Sequence, residues 1–232
     1  MKSTPNIFTK NSDANMLGRF TIFFVILSLS SCAKRHVKID HENPIHTERR
    51  FNVAIDFKKT NYPLLVDAIH HATNEARKEH GLSALRKNTT LMKAARRYAK
   101  RQAKGHFLAH IDPSGGPKTP DDRARVFGGK NPHVSENLAI TAGYPIESGE
   151  PIYIASDGSY TRKVGGEKIP PHTYRSFARD VVEQWLNSPG HRKNLLDSQA
   201  LELGCGVYIL YQGQIPSFVS VQNFQVFEKL RS

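Results

Sequence analysis

The chain has 232 residues, enough for one domain of ordinary size with appendages. Its hydrophobic fraction is 38%, but the first 60 residues are polar outside one apolar run, so the remainder can bury a normal core. Disorder is therefore expected only at the two ends. The formal net charge of +12 indicates attraction to anionic lipid headgroups, polysaccharide or cell-wall polymers.

The apolar run from Phe20 to Ser30 has the length of a signal-peptide core. It is too short to cross a hydrocarbon layer of about 30 Å as a helix. Arg19 precedes it, and small residues close it in Leu29-Ser-Ser-Cys32. This order resembles the bacterial lipobox, in which the cysteine is acylated and the leader is cut off before it. The alternative is a buried apolar helix with an incidental cysteine.

Residues 1–31 are thus predicted to be a signal peptide, with Met1 or Met16 as the true start. Acyl chains on Cys32 would hold the mature protein on a membrane of the bacterial cell envelope. Export makes nucleic acid an unexpected partner. Removal of the leader takes away Lys2, Lys10, Arg19 and Asp13, which lowers the net charge from +12 to +10.

Two cysteines are present, so acylation of Cys32 leaves Cys205 without an intramolecular partner. Cys205 lies in an apolar strand pattern, which favours a small buried side chain over a reactive thiol.

Residues 32–61 are charged and aperiodic, which predicts a flexible tether and a folded domain over residues 62–232. Apolar residues spaced by four from Leu64 predict a first helix that ends at Gly81. A second helix is predicted from Arg86 to Lys104, with Asn88 as its cap and cations on its outer faces. Those cations are either a solvated surface or a binding patch.

Beyond this helix, residues 106–132 are rich in Gly, Pro and Asp and are predicted to be a loop. Residues 135–139 are predicted to begin a short helix. An inserted hairpin is expected within residues 141–172, because short alternating segments flank Asp157-Gly158.

A third long helix is predicted over residues 173–186, and Ser188 can cap a further short helix that begins at Pro189. Residues 203–211 and 218–227 predict two apolar strands joined around Gly213. Helices first and paired strands last predict an α+β layered domain.

Five motifs along residues 64–227 together resemble the successive motifs of the CAP superfamily, also called SCP-like proteins, most closely its bacterial branch. They are His110-Ile-Asp-Pro-Ser-Gly115, Ser135-Glu-Asn-Leu-Ala139, the segment from Val181 to Leu196 containing Trp-Leu-Asn-Ser-Pro-Gly-His, Leu203-Gly-Cys-Gly-Val207 and Val221-Gln-Asn-Phe224. Each motif is weak alone, but five in order are specific. The resemblance implies a three-layer α-β-α sandwich.

The resemblance also implies a large cleft where two histidines and two glutamates converge and where the histidines hold a divalent metal such as zinc. The matching positions are His110, Glu136 and His191, with the two histidines as metal ligands. The second glutamate does not carry over, since Ser188 takes its place. Two imidazoles fall short of the three or four ligands of tight sites, so no cofactor beyond weakly bound zinc is expected.

The sequence contains no Ser-His-Asp order, His-Glu-x-x-His helix or reactive cysteine, so we assign no catalytic residue. The favoured function is a ligand-binding module for lipid, glycan or an envelope protein. The alternative is a metal-dependent hydrolase of envelope peptides or esters, with the glutamate as general base.

Overall fold

A computed structural model describes residues 49–226 except residues 131 and 148. The predicted signal peptide, Cys32 and the first part of the predicted tether lie outside the described residues. Among the helices described, none combines the length and apolar character needed to cross a bilayer.

Within the described residues, a short 3-10 helix, Arg49–Asn52, precedes five α-helices and six strands. The helices are α1 (Tyr62–Glu79), α2 (Thr89–Gly105), α3 (Pro120–Val126), α4 (Tyr174–Leu186) and α5 (Pro189–Leu195). The strands are β1 (Arg86–Lys87), β2 (Val134–Ala142), β3 (Tyr153–Ile154), β4 (Tyr160–Thr161), β5 (Ala200–Tyr211) and β6 (Pro216–Val226).

The main sheet has the strand order β1-β5-β6-β2, in which β1 pairs parallel to β5 and the other neighbours are antiparallel. An apolar cluster on one face joins α1 and α4 to inward side chains such as Leu203 and Phe218. A second cluster on the other face joins α2 to Val219 and Val221. The side chains of β6 alternate between these clusters, so the domain is a three-layer α-β-α sandwich, as the resemblance to CAP proteins implied.

Helix α2 lies unusually close to β5. A Cβ atom built on Gly204 would overlap with the backbone of Leu91 and Met92, and one built on Gly206 would overlap with the backbone of Ala95. Neither glycine has a positive φ, so the requirement is for space and not for backbone freedom. Glycine at both positions lets the helix pack directly on the strand.

Several predicted features are confirmed. The Asn88 side chain caps α2 by accepting a hydrogen bond from the Leu91 amide. The hairpin of β3 and β4 turns at Asp157-Gly158, where Gly158 has a φ of 81°. Cys205 is a free, buried thiol, and its burial raises the pKa to about 12.

The predicted helix at residues 135–139 is wrong, because these residues lie in β2. All nine β2 residues pair with β6 in unbroken register. Residues 136–139 are buried on both faces of the sheet, so this segment lacks the alternation that marks a half-exposed strand.

The loop predicted at residues 106–132 contains helix α3. Thr119 and Asp122 form a reciprocal capping box at its start, and Pro120 occupies the first turn. The second predicted helix also begins later than expected, at Thr89, because Arg86 and Lys87 pair with β5 as β1.

The predicted tether extends too far toward the domain. Phe51 and Ile55 are buried in the cluster that includes α1 and α4. The Ile55 amide also donates a hydrogen bond to the His172 carbonyl at 2.8 Å. The folded part therefore includes residues 50–61, which the sequence assigned to the tether.

Replacement of Gly206 tests the close packing of α2 on β5. Gly206→Ala should lower the free energy of unfolding by about 3 kcal/mol, because the new methyl group overlaps with backbone that cannot move aside as a side chain would. Gly190→Ala is the matched control, since a Cβ there meets no atom within 4 Å. Urea unfolding measures both, and similar midpoints for the two variants would contradict the packing.

Candidate functional site

The three residues predicted for the cleft lie together at one end of the sheet. His110 follows α2 in a loop, Glu136 is on β2, and His191 is in α5. The His110 Nδ1 atom is 3.0 Å from Glu136 Oε1, and the two histidine rings have centroids 6.5 Å apart. His110 is the exposed member, whereas the Glu136 carboxylate is buried.

Two side chains of α2 fix the loop that carries His110. The Tyr98 hydroxyl donates to the carbonyl of Ala109, and the Ala109 amide donates to Gln102 Oε1 at 2.9 Å. Both side chains are buried, so the loop is attached to the face of the helix that packs on the sheet.

Arg123, on α3, holds the Glu136 carboxylate from the other side. Its Nη2 atom is 2.7 Å from Glu136 Oε2, and its guanidinium lies 3.5 Å from the centroid of the Tyr98 ring. The same guanidinium donates to the carbonyls of His110 and Lys118. Sequence reasoning missed Arg123. The capping box at Thr119 could have indicated helix α3. No local sequence pattern, however, indicates that Arg123 pairs with Glu136.

Asparagines join the motif around Glu136 to the motif around His191. The Asn137 amide group donates to the His191 carbonyl at 3.1 Å, and Asn194 donates to the Glu136 carbonyl at 3.2 Å. Ser188 occupies the cap of α5, but its side chain makes no capping hydrogen bond. Because Ser188 stands where the family pattern has its second glutamate, this position contributes no carboxylate to the site.

Burial lowers the pKa of His191 below its usual 6.5, and the nearby charge of His110 lowers it further. His191 is therefore a neutral imidazole at pH 7 and able to accept a proton or a hydrogen bond. Burial raises the pKa of Tyr98 to about 12, partly offset by Arg123, so its hydroxyl remains a donor.

The described residues do not fit a tightly held zinc ion. His110 and His191 supply two imidazoles, while both oxygens of Glu136 are engaged by His110 and Arg123. In residues 49–226, apart from 131 and 148, no three His, Cys, Asp or Glu side chains converge as a metal site would require.

The same contacts limit what Glu136 can do as a base. A general base needs an oxygen within reach of the proton that it removes, and each Glu136 oxygen already accepts from a neighbour. Its carboxylate instead orients His110 and anchors Arg123. The cluster is thus built to be rigid and polar, with one exposed imidazole.

A second feature lies on the outer side of α2. Lys93, Arg97, Lys100 and Lys104 are exposed and follow one another at spacings of four, three and four, and we call them the basic stripe. Within the part of the chain that the structure describes, no acidic side chain pairs with them. Arg101 differs, since it pairs with Asp112.

Removal of Arg123 tests the buried ion pair. Arg123→Met should cost about 3–5 kcal/mol of unfolding free energy, because it leaves the Glu136 charge buried without its partner. The double variant Arg123→Met with Glu136→Met should recover stability, since it removes both charges. Urea unfolding at pH 7 measures this, and a double variant less stable than the single one would refute it.

The electrostatic effect of His110 on the pKa of His191 is also measurable. His110→Ala should raise the pKa of His191 toward its usual value, because a nearby positive charge is removed while burial remains. NMR titration of the His191 ring resonances reports the change. His133→Ala, which removes a histidine from the loop before β2, serves as the control and should leave the pKa of His191 unchanged.

Comparison with known proteins supports the fold. Residues 70–224 match the model of the family described as CAP, cysteine-rich secretory protein family. The uncharacterized protein YkwD of Bacillus subtilis is 28% identical over 134 residues, covering 58% of this chain and 38% of that protein.

Two solved structures are also similar. The crystal structure of an extracellular protein with an SCP domain from Bacillus anthracis has a TM-score of 0.50 and 23% identity, and the match covers 72% of this chain and 42% of that one. An outer surface protein of Borrelia burgdorferi has a TM-score of 0.45 and 22% identity, with coverage of 75% and 98%.

The chain spans about two fifths of the length of the two Bacillus proteins. The family model, by contrast, matches well over half of this chain. The chain therefore belongs to the CAP family.

Proposed function

We propose that the protein is a lipid-anchored module of the bacterial cell envelope that binds an anionic envelope component and does not chemically transform it. The observation that carries this proposal is the basic stripe on α2. The ligand chemistry that fits the stripe is a row of phosphate or carboxylate groups, as in a charged polymer or an anionic lipid surface.

The stripe has the dimensions of a linear binding surface. From residue 93 to residue 104 a helix rises about 16 Å, at ~1.5 Å per residue. Cations three or four residues apart on a helix repel one another by about 0.2–0.5 kcal/mol per pair. A bound polyanion would offset this repulsion. Binding should therefore stabilise the folded protein.

The cleft supports binding over catalysis. Glu136 is held by Arg123 and His110, and the second glutamate of the family pattern is replaced by Ser188. A metal-dependent hydrolase would need a carboxylate free to act on water and a more complete ligand set. His110 remains the one exposed cleft residue that is able to contact a ligand.

Anchoring at Cys32 would concentrate the domain on the envelope. Each buried methylene contributes roughly 0.8 kcal/mol, so two or three acyl chains give stable attachment where one chain gives reversible binding. The net charge of +10 that remains after removal of residues 1–31 would then act close to anionic envelope material.

Metabolic labelling tests the anchor. Cells that express the chain should incorporate labelled palmitate into it, and Cys32→Ser should abolish the label because the acceptor thiol is gone. Cys205→Ser is the control and should keep the label. Equal labelling of Cys32→Ser and wild type would refute acylation at Cys32.

Binding to defined anions tests the stripe. Arg97→Ala with Lys104→Ala should weaken binding by about 2 kcal/mol, or roughly 30-fold, at ~1 kcal/mol per cation near an anionic surface. Polyphosphate and phosphatidylglycerol vesicles serve as separate probes that distinguish a polymer from a lipid surface. Lys58→Ala with Lys59→Ala removes the same charge elsewhere, and an equal loss in that control would show nonspecific attraction.

A further inference from the structure

A buried asparagine in β6 has a side chain without a protein partner. Asn223 is 0% exposed, and within the described residues neither its Oδ1 nor its Nδ2 atom bonds to another protein group. An unpaired donor or acceptor inside a protein is unfavourable, and native proteins bond the large majority of such atoms to protein or to ordered water. The Asn223 amide therefore requires a bound molecule as its partner.

Strand register places Asn223 beside the cleft cluster. Asn223 is directly opposite Glu136 in the antiparallel pair of β6 and β2. The side chains of directly opposite residues share one face of a sheet, with Cβ atoms about 5 Å apart. Val221, two residues before Asn223, and Leu138, two residues after Glu136, both belong to the apolar cluster under α2. The side chains of Asn223 and Glu136 therefore lie together on the α2 face of the sheet.

The neighbour of Asn223 on its other side is a glycine. Asn223 is opposite Gly204 of β5, which offers no side chain to pair with the amide. The backbone of Leu91 and Met92 in α2 lies directly over Gly204. Across the two neighbouring strands, Glu136 is thus the only directly opposite residue with a polar side chain for Asn223.

The cleft network has hydrogen-bonding capacity left for a further partner. One Glu136 oxygen is engaged by His110 and the other by Arg123, and each carboxylate oxygen has room for a second donor. The Nε donor of Arg123 is also buried and bonds to no group in the described part of the chain. A buried water needs two to four polar partners. The Asn223 amide and the Glu136 carboxylate alone supply two.

Burial favours water over a larger ligand as the partner of Asn223. The Glu136 side chain is 1% exposed, whereas that of His110 is 52% exposed. A molecule that enters the cleft from solvent therefore meets His110 and not the Asn223 amide. A water molecule, which takes up roughly 30 Å³ in the liquid, is small enough to be enclosed when the domain folds.

We propose that Asn223 binds internal water that bridges its amide to the Glu136 carboxylate. One water accepts a hydrogen bond from Asn223 Nδ2 and donates one to a Glu136 oxygen, and a second water donates to Asn223 Oδ1. Asn223 is then a positioning residue, because through the water it fixes the carboxylate that orients His110. The water site does not depend on the anionic ligand proposed for the basic stripe.

Water–protein NMR of the full chain in detergent micelles tests the proposal. A water molecule that stays bound for longer than the protein takes to tumble gives NOE and ROE cross-peaks of opposite sign with nearby protons. The side-chain NH₂ protons of Asn223 should show such cross-peaks to water. Asn74 is the matched control in the same spectrum, since its amide bonds to the Leu85 backbone, and it should show none.

Two variants test whether Asn223 holds the water. Oxygen-17 relaxation dispersion counts the long-lived internal waters of a protein. Asn223→Leu, which replaces the amide with an apolar side chain of similar size, should lower this count by at least one. Asn223→Ser keeps a hydroxyl group and leaves more space, so it should not lower the count. The wild-type cross-peaks need no variant, so the test stands even if one variant fails to fold.

The His110 ring reports on the positioning role. A carboxylate can only accept, so Glu136 holds the proton of the neutral ring on Nδ1. Asn223→Leu should raise the population with the proton on Nε2, and Asn223→Ser should not, as measured by the ring nitrogen-15 shifts. Three results would overturn the proposal: no long-lived water at the Asn223 amide, an unchanged water count in Asn223→Leu, or an unchanged proton position on His110 in that variant.

Discussion

The backbone contact between α2 and β5 positions the loop that carries His110 and the basic stripe. Gly204 and Gly206 have no side chains, so the helix lies directly on the strand. This contact sets where Tyr98 and Gln102 reach the loop of His110. It also sets which side of α2 presents the basic stripe to solvent.

The buried pair of Arg123 and Glu136 is the main electrostatic element of the cleft. Removing two charges from water is costly, and the pair is tolerated because Arg123 also donates to backbone carbonyls and lies over the Tyr98 ring. Such a network is rigid, and its carboxylate is already occupied. The arrangement is more consistent with a fixed binding surface than with a base that must exchange protons with a substrate.

Much of the fold could be predicted from the sequence, and its motifs named three side chains that the structure brings together. Helices α1, α2 and α4 have one apolar face each, and β5 and β6 are long apolar strands, so their periodicity is informative. Strand β2 is buried on both faces and resembled a short helix. Arg123 could not be placed, because its contacts to Tyr98 and Glu136 depend on tertiary packing that no local pattern encodes. The ordered motifs, and not periodicity, indicated that His110, Glu136 and His191 converge.

Native-state hydrogen exchange is the most direct measurement of whether α2 holds the cleft loop as part of the sandwich core. The Ala109 amide donates to Gln102 Oε1, so it should exchange with a free energy within about 1 kcal/mol of that for amides in the centre of β5. Exchange of Ala109 at the rate of an exposed loop amide, while the amides of β5 stay protected, would show that the loop opens independently of α2 and would contradict this account.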